Sequence, residues 1–475
     1  MRSLTAVRTT GIYCRAGCAG RPKIENIELF EHPAAAESAG YRACLRCRPD
    51  QLPVVGAPST APLVVCRALE LINDGFLDTG SEAALGTAVG MHHRQLRRLF
   101  DEHIGTSATK VARSRRAHFA RRLLDETNLS IEDVSYASGF RSPRQCRRVV
   151  KETFEYSPTE LRKRRRKGSV IDLDGGIGMR LPTPAGYPAE KIFSFIAKRA
   201  TPGIEVVEGT SYRRTVVTCG HVGVVEVEAV PSKNQLVIKA HLATLRELPL
   251  VVSCVRALFG LRSSNRRAVQ ALSRDPLLAS YIDRSSVFVP GAWTQFESAI
   301  RIIIGQQVSV AGATTVTGQL ASLSGIKAPS LEKFGLSRCF PTPSQIVKSD
   351  LSRLGMPSRR RQTIKAYAEW TLAGKVPTVE RFTDVEKIVD ELQQIPGIGP
   401  WTANVIALRA LGLPDAFPAG DLGVRKGATV VLGTKTLIRE SDLTRLAQRW
   451  RPYRSVAATL LWDAACHYKS PAKST

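Results

Sequence analysis

No stretch of this chain approaches the roughly 18 consecutive apolar residues of a membrane span, and no apolar segment of the secretion-signal kind follows Met1. These absences exclude a spanning protein and predict one that is not exported. Ten cysteines in such a chain predict reduced thiols and metal binding, not a disulfide framework. Nor is there an extended low-complexity region. Acid is in short supply: 42 Asp+Glu stand against 68 Lys+Arg, a formal net charge of +26. Such an excess favours polyphosphate partners. It is spread out, with 29 Lys/Arg and 18 Asp/Glu in residues 1–167 alone, so both ends are candidates for nucleic-acid contact. A chain of 475 residues predicts about three or four domains.

What is present is most informative at 393–426, QQIPGIGPWTANVIALRALGLPDAFPAGDLGVRK. Pro396-Gly397-Ile398-Gly399 is a tight, glycine-dependent turn, and Pro400 suits the first position of a helix. Ala403–Leu411 supply an apolar helical run that Gly412 would cap. A helix entered through two glycines offers free N–H groups and a positive dipole end to a phosphate. Gly397, Gly399 and Thr402 are the candidate residues for that contact. One acid follows in an apolar loop, Pro418-Ala419-Gly420-Asp421. The bland alternative is a glycine-capped core helix with an incidental Asp. The whole arrangement resembles the helix-hairpin-helix DNA glycosylases, and the resemblance implies that Asp421 is the catalytic acid.

Four cysteines form the second signal. Cys14-x3-Cys18 and Cys44-x2-Cys47 are two close pairs, a usual way to surround zinc with thiolates. Cys66, Cys146, Cys219, Cys254, Cys339 and Cys466 are scattered singly and read as buried small hydrophobes. Taken alone, the quartet reads as a structural zinc knuckle. Val7-Arg8-Thr9-Thr10-Gly11-Ile12-Tyr13-Cys14-Arg15 and Tyr41-Arg42-Ala43-Cys44-Leu45-Arg46-Cys47-Arg48-Pro49-Asp50 resemble the N-terminal domain of the Ada adaptive-response proteins. That resemblance implies one Zn²⁺ on Cys14, Cys18, Cys44 and Cys47, with Cys14 also the acceptor of a methyl group from a DNA phosphotriester. In this family some two dozen further residues usually precede Val7. Their near-absence predicts a truncated zinc domain or a start codon placed too late.

Residues 51–63 are Pro/Ala/Gly-rich and read as a linker. Two helix-turn-helix units follow. The first runs through Glu82–Val89, turns at Gly90 and continues from Arg94 to Phe100. The second opens with a capping box at Ser130-Ile131-Glu132-Asp133, turns at Gly139 and restarts at Ser142-Pro143. A basic helix, 109–125, lies between them. Arg94, Gln95, Arg97 and Arg98 in one unit, and Arg144, Gln145, Arg147 and Arg148 in the other, are candidates for the major groove. A solvated helix face is the alternative for each cluster. Together they resemble the AraC-type double helix-turn-helix. His92 stands at a cap where a Ser-type residue is usual, and Cys146 replaces an aromatic.

After a second Gly/Asp-rich linker at 168–178, period-two β-branched residues predict strands at 215–218, 222–230 and 235–239. Helices are expected at 189–199 and 249–259. This α+β segment, with its antiparallel sheet, resembles the N-terminal domain of AlkA-type 3-methyladenine glycosylases. Helices return from Pro290 to about His467. Phe296–Ser309 resembles the AlkA signature helix and loop, which implies that Gln306 and Gln307 border a flipped base. Trp401 and Trp462 are candidate pocket walls, with ordinary core as the alternative for each. Val405 and Leu422 stand where AlkA-type pockets can carry tyrosines. Trp401 also holds the position of the Schiff-base lysine of bifunctional relatives, so no lyase activity is expected. Cys466 is alone, so no iron–sulfur cluster is expected. No Pro-Cys-His-Arg motif occurs, so the guanine-O6 methyltransferase half of Ada is missing.

The sequence is therefore identified as a multidomain, α+β and mainly α fusion. It comprises an Ada-type zinc domain (1–55), an AraC-type double helix-turn-helix (63–167), an AlkA-like α+β domain (179–290) and an all-α glycosylase domain (291–470). The resemblance implies excision of N-alkylated purines, one Zn²⁺, damaged and promoter double-stranded DNA as partners, RNA polymerase as a further partner, a monomer, and a place at the nucleoid in a bacterial cytoplasm. The rival is a non-enzymatic, alkylation-sensing activator whose glycosylase-like half only binds DNA. Asp421 would either stabilise an oxocarbenium ion or orient water.

Overall fold

The fold is that of a computed structural model, which describes residues 4–18, 20, 22–49, 61–171, 176–261, 264–284, 289–375 and 384–468. Residues 51–60 of the first expected linker and 172–175 of the second lie outside the described residues. The chain divides into two units: 1–185 with 216–255 and 261–263, and 186–215 with 256–260 and 264–475. The expected α+β segment, 179–290, is thus shared between them.

The first unit begins with four short strands: β1 (Leu4–Val7), β2 (Ile12–Cys14), β3 (Ile27–Phe30) and β4 (Arg42–Ala43), ordered β3-β1-β2-β4. β2 and β4 pair in parallel, with Tyr13 opposite Ala43. Helix α1 (Pro33–Ser38) takes His32 as its N-cap, whose Nδ1 accepts from the Ala34 N–H. Helices α2 (Leu63–Asn73), α3 (Phe76–Thr79), α4 (Glu82–Ala88), α5 (His93–Ile104), α6 (Ala108–Glu126), α7 (Ile131–Ala137), α8 (Pro143–Phe154) and α9 (Pro158–Lys163) follow. The long α6 buries Val111, Ala117, Ala120, Leu123 and Leu124. The α4–α5 and α7–α8 pairs are the two expected helix-turn-helix units. Ser130 caps α7 by accepting from the Asp133 N–H, but Asp133 accepts from the Ser130 hydroxyl and not from its backbone. The expected capping box is therefore a single cap here, because an Asp side chain is a methylene shorter than the usual Glu. A full box does form at Ser157/Glu160, ahead of α9.

A five-stranded sheet has the order β5-β9-β8-β7-β6, formed by β5 (Ile177–Pro182), β6 (Glu205–Glu208), β7 (Ser211–Thr218), β8 (His221–Val230) and β9 (Gln235–His241). The pairs β5/β9, β8/β9 and β6/β7 are antiparallel. The β-branched runs expected to be strands are strands.

Helix α10 (Ala189–Ala197) opens the second unit, and α11 (Leu248–Leu258) crosses the division. The second unit continues with α12 (Ser264–Leu272), α13 (Ala279–Arg284), α14 (Gln295–Ile304), α15 (Val310–Ser324), α16 (Pro343–Lys348), α17 (Ser358–Leu372), α18 (Val385–Gln393), α19 (Pro400–Val405), α20 (Leu422–Leu432), α21 (Glu440–Leu446) and α22 (Arg454–Ala464). One difference from expectation falls in the apolar run after the hairpin. α19 stops at Val405 and gives way to a π turn, Ile406–Ala410. Such turns are rare and often sit at functional sites. Gly412, with φ +69°, then ends the run as expected.

Candidate functional site

In the first unit, the parallel pairing of β2 and β4 sets the ends of the two strands side by side. Cys14 ends β2 and Cys44 immediately follows β4. Short turns return Cys18 and Cys47 to the same place, with the Cys18 N–H donating to the Arg15 carbonyl at 3.2 Å. The four sulfurs lie within 4.8 Å of one another. Sulfurs about 2.3 Å from a tetrahedral zinc stand roughly 3.8 Å apart, so the cluster fits one ion. The donor chemistry agrees. Burial, then the neighbouring Cys44, pushes the Cys14 thiol far up, and burial pushes Cys47 up to about 11. A backbone hydrogen bond from Gly20 draws Cys18 down. Thiols this close become thiolates together only around a cation.

Beside Cys14, the Tyr13 hydroxyl donates to Glu37 Oε1 at 2.7 Å, and His118 of α6 meets the same oxygen at 2.5 Å. Arg48 pairs with Asp125, also of α6. The cysteine cluster is therefore anchored to the central helix of the helix-turn-helix module by buried polar contacts.

On α5, Arg94, Gln95, Arg97 and Arg98 are exposed, while Leu96 and Phe100 are buried. His92 serves as the cap, its Nδ1 accepting from the Arg94 N–H at 3.4 Å. On α8, Arg144, Arg147 and Arg148 are exposed. Gln145 departs from its expected place. It is half-buried and its Oε1 accepts from the Arg141 N–H at 3.1 Å, so it braces the turn instead of reaching outward. Cys146 is fully buried in the core.

The second unit holds a cavity of about 370 Å³ lined by Trp401, Val405, Arg409, Asp421 and Trp462, among others. Asp421 is the N-cap of α20, its Oδ1 accepting from the Val424 N–H at 3.0 Å. Two indoles complete its surroundings. Trp462 Nε1 donates to Oδ1 and Trp401 Nε1 to Oδ2, each at 2.8 Å. Both tryptophans thus reach the acid as well as the cavity. The start of α22 positions Trp462 and the acidic loop together. Arg454 forms a bidentate pair with Asp415, with both contacts at 2.9 Å, and the Ser455 hydroxyl lies at 2.6 Å from the Leu413 carbonyl and 2.9 Å from that of Ala416.

The hairpin itself requires its first glycine. Gly397 has φ +88°, and a β-carbon there would meet Thr363 Oγ1 at 2.0 Å. Gly399 is the N-cap of α19, with open space around it. Thr402 is a correction: it is buried, and its hydroxyl oxygen accepts from Gln306 Nε2 at 2.8 Å, so its side chain is engaged within the protein. Gln306 is corrected with it. The same amide donates to the Gly397 carbonyl at 3.2 Å, so Gln306 braces the hairpin and does not line the cavity. Gln307 is exposed with φ +56° and does not line it either. Val405 lines the cavity, whereas Leu422 is 53% exposed.

Sequence reasoning missed the charged end of this cavity. Glu205, Arg214, Glu297 and Arg301 form a buried network, with Arg214 donating to Glu297 at 2.9 Å and Arg301 to Glu205 at 2.6 Å. Burial would raise the Glu205 carboxyl, but Arg301 and Arg214 outweigh it and lower it to about 2. Glu297 and Arg301 stand one helical turn apart on α14, but Glu205 and Arg214 reach them only through the fold, so no local pattern marks the network. Arg409 did carry a signal: it is the one charge within the apolar run Ala403–Leu411.

A cation-demanding thiol cluster, paired helix-turn-helix units and a hairpin beside an indole-clamped aspartate define a modular DNA-binding protein of the glycosylase-fusion class. Residues 2–50 match the metal binding domain of Ada, 85–164 a helix-turn-helix domain and 178–294 the AlkA N-terminal domain. The chain is 36% identical over 471 residues to a Mycobacterium tuberculosis protein named probable bifunctional transcriptional activator/DNA repair enzyme AlkA, covering 98% of this chain and 93% of that protein. It is 33% identical over 286 residues to DNA-3-methyladenine glycosylase 2 of Escherichia coli, 58% of this chain and 93% of that one. In fold it is similar to the solved 3-methyladenine DNA-glycosylase from Archaeoglobus fulgidus, with a TM-score of 0.51 at 22% identity, covering 61% of this chain and 99% of that one. The chain belongs to the family of bifunctional transcriptional activator/DNA repair enzymes in which an Ada-type zinc and helix-turn-helix half is fused to an AlkA-type glycosylase.

Proposed function

We infer that this protein answers alkylation damage in DNA in two ways. Its second unit is a monofunctional glycosylase that hydrolyses the N-glycosidic bond of N-alkylated purines such as 3-methyladenine. Its first unit is a transcription regulator carrying a methyl-accepting cysteine. RNA polymerase as a partner and a monomeric state belong to the same reading.

The observation that carries the glycosylase reading is Asp421, whose two oxygens accept from two indole N–H groups in the cavity wall. An alkylated purine already bears positive charge and leaves readily once flipped from the helix. As the bond from sugar C1′ to the base nitrogen breaks, its electron pair departs with the base. Positive charge then develops on the sugar, and a fixed anion stabilises it. Water completes the hydrolysis. Oδ1 accepts two hydrogen bonds and Oδ2 one, which holds the carboxylate in one fixed orientation at the cavity wall. This favours Asp421 as an electrostatic stabiliser. Asp421→Asn should cut release of 3-methyladenine about 10²–10³-fold with DNA binding retained. Undiminished release would remove Asp421 from the mechanism, and borohydride trapping of a wild-type adduct would overturn the monofunctional reading.

In the first unit, Cys14, Cys18, Cys44 and Cys47 would hold one zinc ion, which keeps the sulfurs deprotonated at neutral pH. The Cys14 sulfur would attack the methyl carbon of a phosphotriester, forming S–CH₃ as the C–O bond breaks and the phosphodiester leaves. The exposed arginines of α5 and α8 would carry sequence-directed binding in the major groove. Gly397 and Gly399 would let the hairpin approach a phosphate closely.

A further inference from the structure

The cavity wall beside Asp421 contains a cation, Arg409, whose donors are not taken up by any hydrogen bond or ion pair among the described residues. The Arg409 guanidinium lies 4.5 Å over the Trp462 ring and 5.7 Å from that of Phe195. The other arginines of the cavity are engaged: Arg214 and Arg301 with Glu205 and Glu297, and Arg199 with the Phe195 carbonyl at 3.1 Å. Burial, then the like charge of Arg199, lowers Arg409 to about 10 against the pull of Asp421, so it stays protonated at neutral pH. The Trp462 face holds the guanidinium in place, and Asp421 in turn holds Trp462. A guanidinium offers five donors and no acceptor. None of its nitrogens is sealed from solvent, so its donors stay free to meet an acceptor that enters the cavity.

Resting on the glycosylase reading, we propose that Arg409 is a specificity-determining residue that donates to the carbonyl oxygen at position 6 of a flipped guanine-type base. The chemistry separates the two purines. Guanine presents an acceptor, O6, where adenine presents the hydrogens of its 6-amino group. Alkylation at N7 removes the adjacent acceptor but leaves O6 available. A donor-only guanidinium meets O6 as a partner and the amino group as a competing donor. The positive charge of Arg409 also opposes any cationic base, and only the 6-oxo purine recovers that cost through a charge-assisted hydrogen bond. The cavity is thereby tuned toward N-alkylated guanine and neutral hypoxanthine, relative to the same cavity without Arg409.

The test is the ratio of 7-methylguanine to 3-methyladenine released by one preparation from methylated DNA, which does not depend on how much of the preparation is folded. Arg409→Met should lower that ratio about 10–100-fold, and hypoxanthine release from inosine-containing duplex should fall in parallel. Arg409→Gln, whose amide both donates and accepts, should lower the ratio less than Met does. An unchanged ratio in both variants, with both bases lost equally, would mean that Arg409 contacts a phosphate or only supports the fold, and would overturn this inference alone. A wild-type protein that releases no base from either substrate would overturn the glycosylase reading itself, and this inference with it.

Discussion

Gly427 lies against the carbonyl of Leu461 so closely that a β-carbon on it would meet that oxygen at 1.7 Å. One helical turn earlier, a β-carbon on Gly423 would stand 2.9 Å from Cδ1 of Trp462. The two glycines share one face of α20 and let α22 come near enough for Trp462 to reach Asp421. Backbone cannot yield as a flexible side chain does, so Gly427→Ala should destabilise the second unit by about 1–3 kcal/mol, the usual cost of overpacking. Gly423→Ala should perturb stability less but shift the indole, slowing base release. A denaturation midpoint unchanged in Gly427→Ala would show that α22 is free to move away.

The two indoles should act on catalysis through their N–H groups. Trp401→Phe and Trp462→Phe each keep a ring and delete one donor to Asp421. Hydrogen bonds to a charged group are worth about 1.5–3 kcal/mol, so each change should slow 3-methyladenine release roughly 10–100-fold. The double variant should lose less than the product of the two, because both donors serve one carboxylate. Release at the wild-type rate by both single variants would place the indoles in the core and outside the chemistry.

Acid should weaken the second unit through Glu205. Its carboxyl is lowered from 4.5 to about 2 by Arg301 and Arg214 acting against burial. A carboxylate depressed on folding contributes stability that is complete above its unfolded value and lost as pH falls through its folded one. The stabilisation should therefore be full above about pH 4.5 and vanish toward pH 2. Glu205→Gln should destabilise at neutral pH by about 3–5 kcal/mol, since two buried guanidinium groups lose a counter-charge. Urea midpoints of the two proteins should converge across that acidic window, and a constant gap would show that Glu205 is not the titrating group.

What the sequence showed, and what it hid, divides along physical lines. The cysteine quartet, the Ser142-Pro143 helix start, the Gly397 turn and the loop acid are local signals, each readable from a few neighbouring residues. Side-chain direction within those motifs was not readable. Gln306, Thr402 and Gln145 are polar residues in the right segments, yet each is engaged within the protein: Gln306 donates to the Gly397 carbonyl and the Thr402 hydroxyl, and Gln145 accepts from the Arg141 N–H. The network of Glu205, Arg214, Glu297 and Arg301 was invisible because the two pairs that join its halves, Arg214–Glu297 and Arg301–Glu205, span scores of residues. The clamp on Asp421 lay between these cases. Both tryptophans were legible as candidates, but their shared acceptor appears only once α19, α20 and α22 are packed.

The cysteine cluster should behave as a one-way charge switch. Elemental analysis should find one zinc per chain, lost when Cys44→Ser and Cys47→Ser are combined; retention of the metal would contradict the ligand set. Four thiolates on one Zn²⁺ would leave excess negative charge close to bound DNA, and methylation would turn the Cys14 sulfur into a neutral thioether. At an effective dielectric near 20, one charge about 7 Å from a phosphate is worth roughly 2 kcal/mol before salt screening. That corresponds to a gain of about tenfold or more in promoter affinity. Incubation with methylated DNA should add a single methyl mass to Cys14, and a methyl found on another cysteine would refute that assignment. Because the effect is electrostatic, the gain should shrink as salt rises. Equal operator affinity for methylated and unmethylated protein at low salt would sink the switch, whatever the state of the metal.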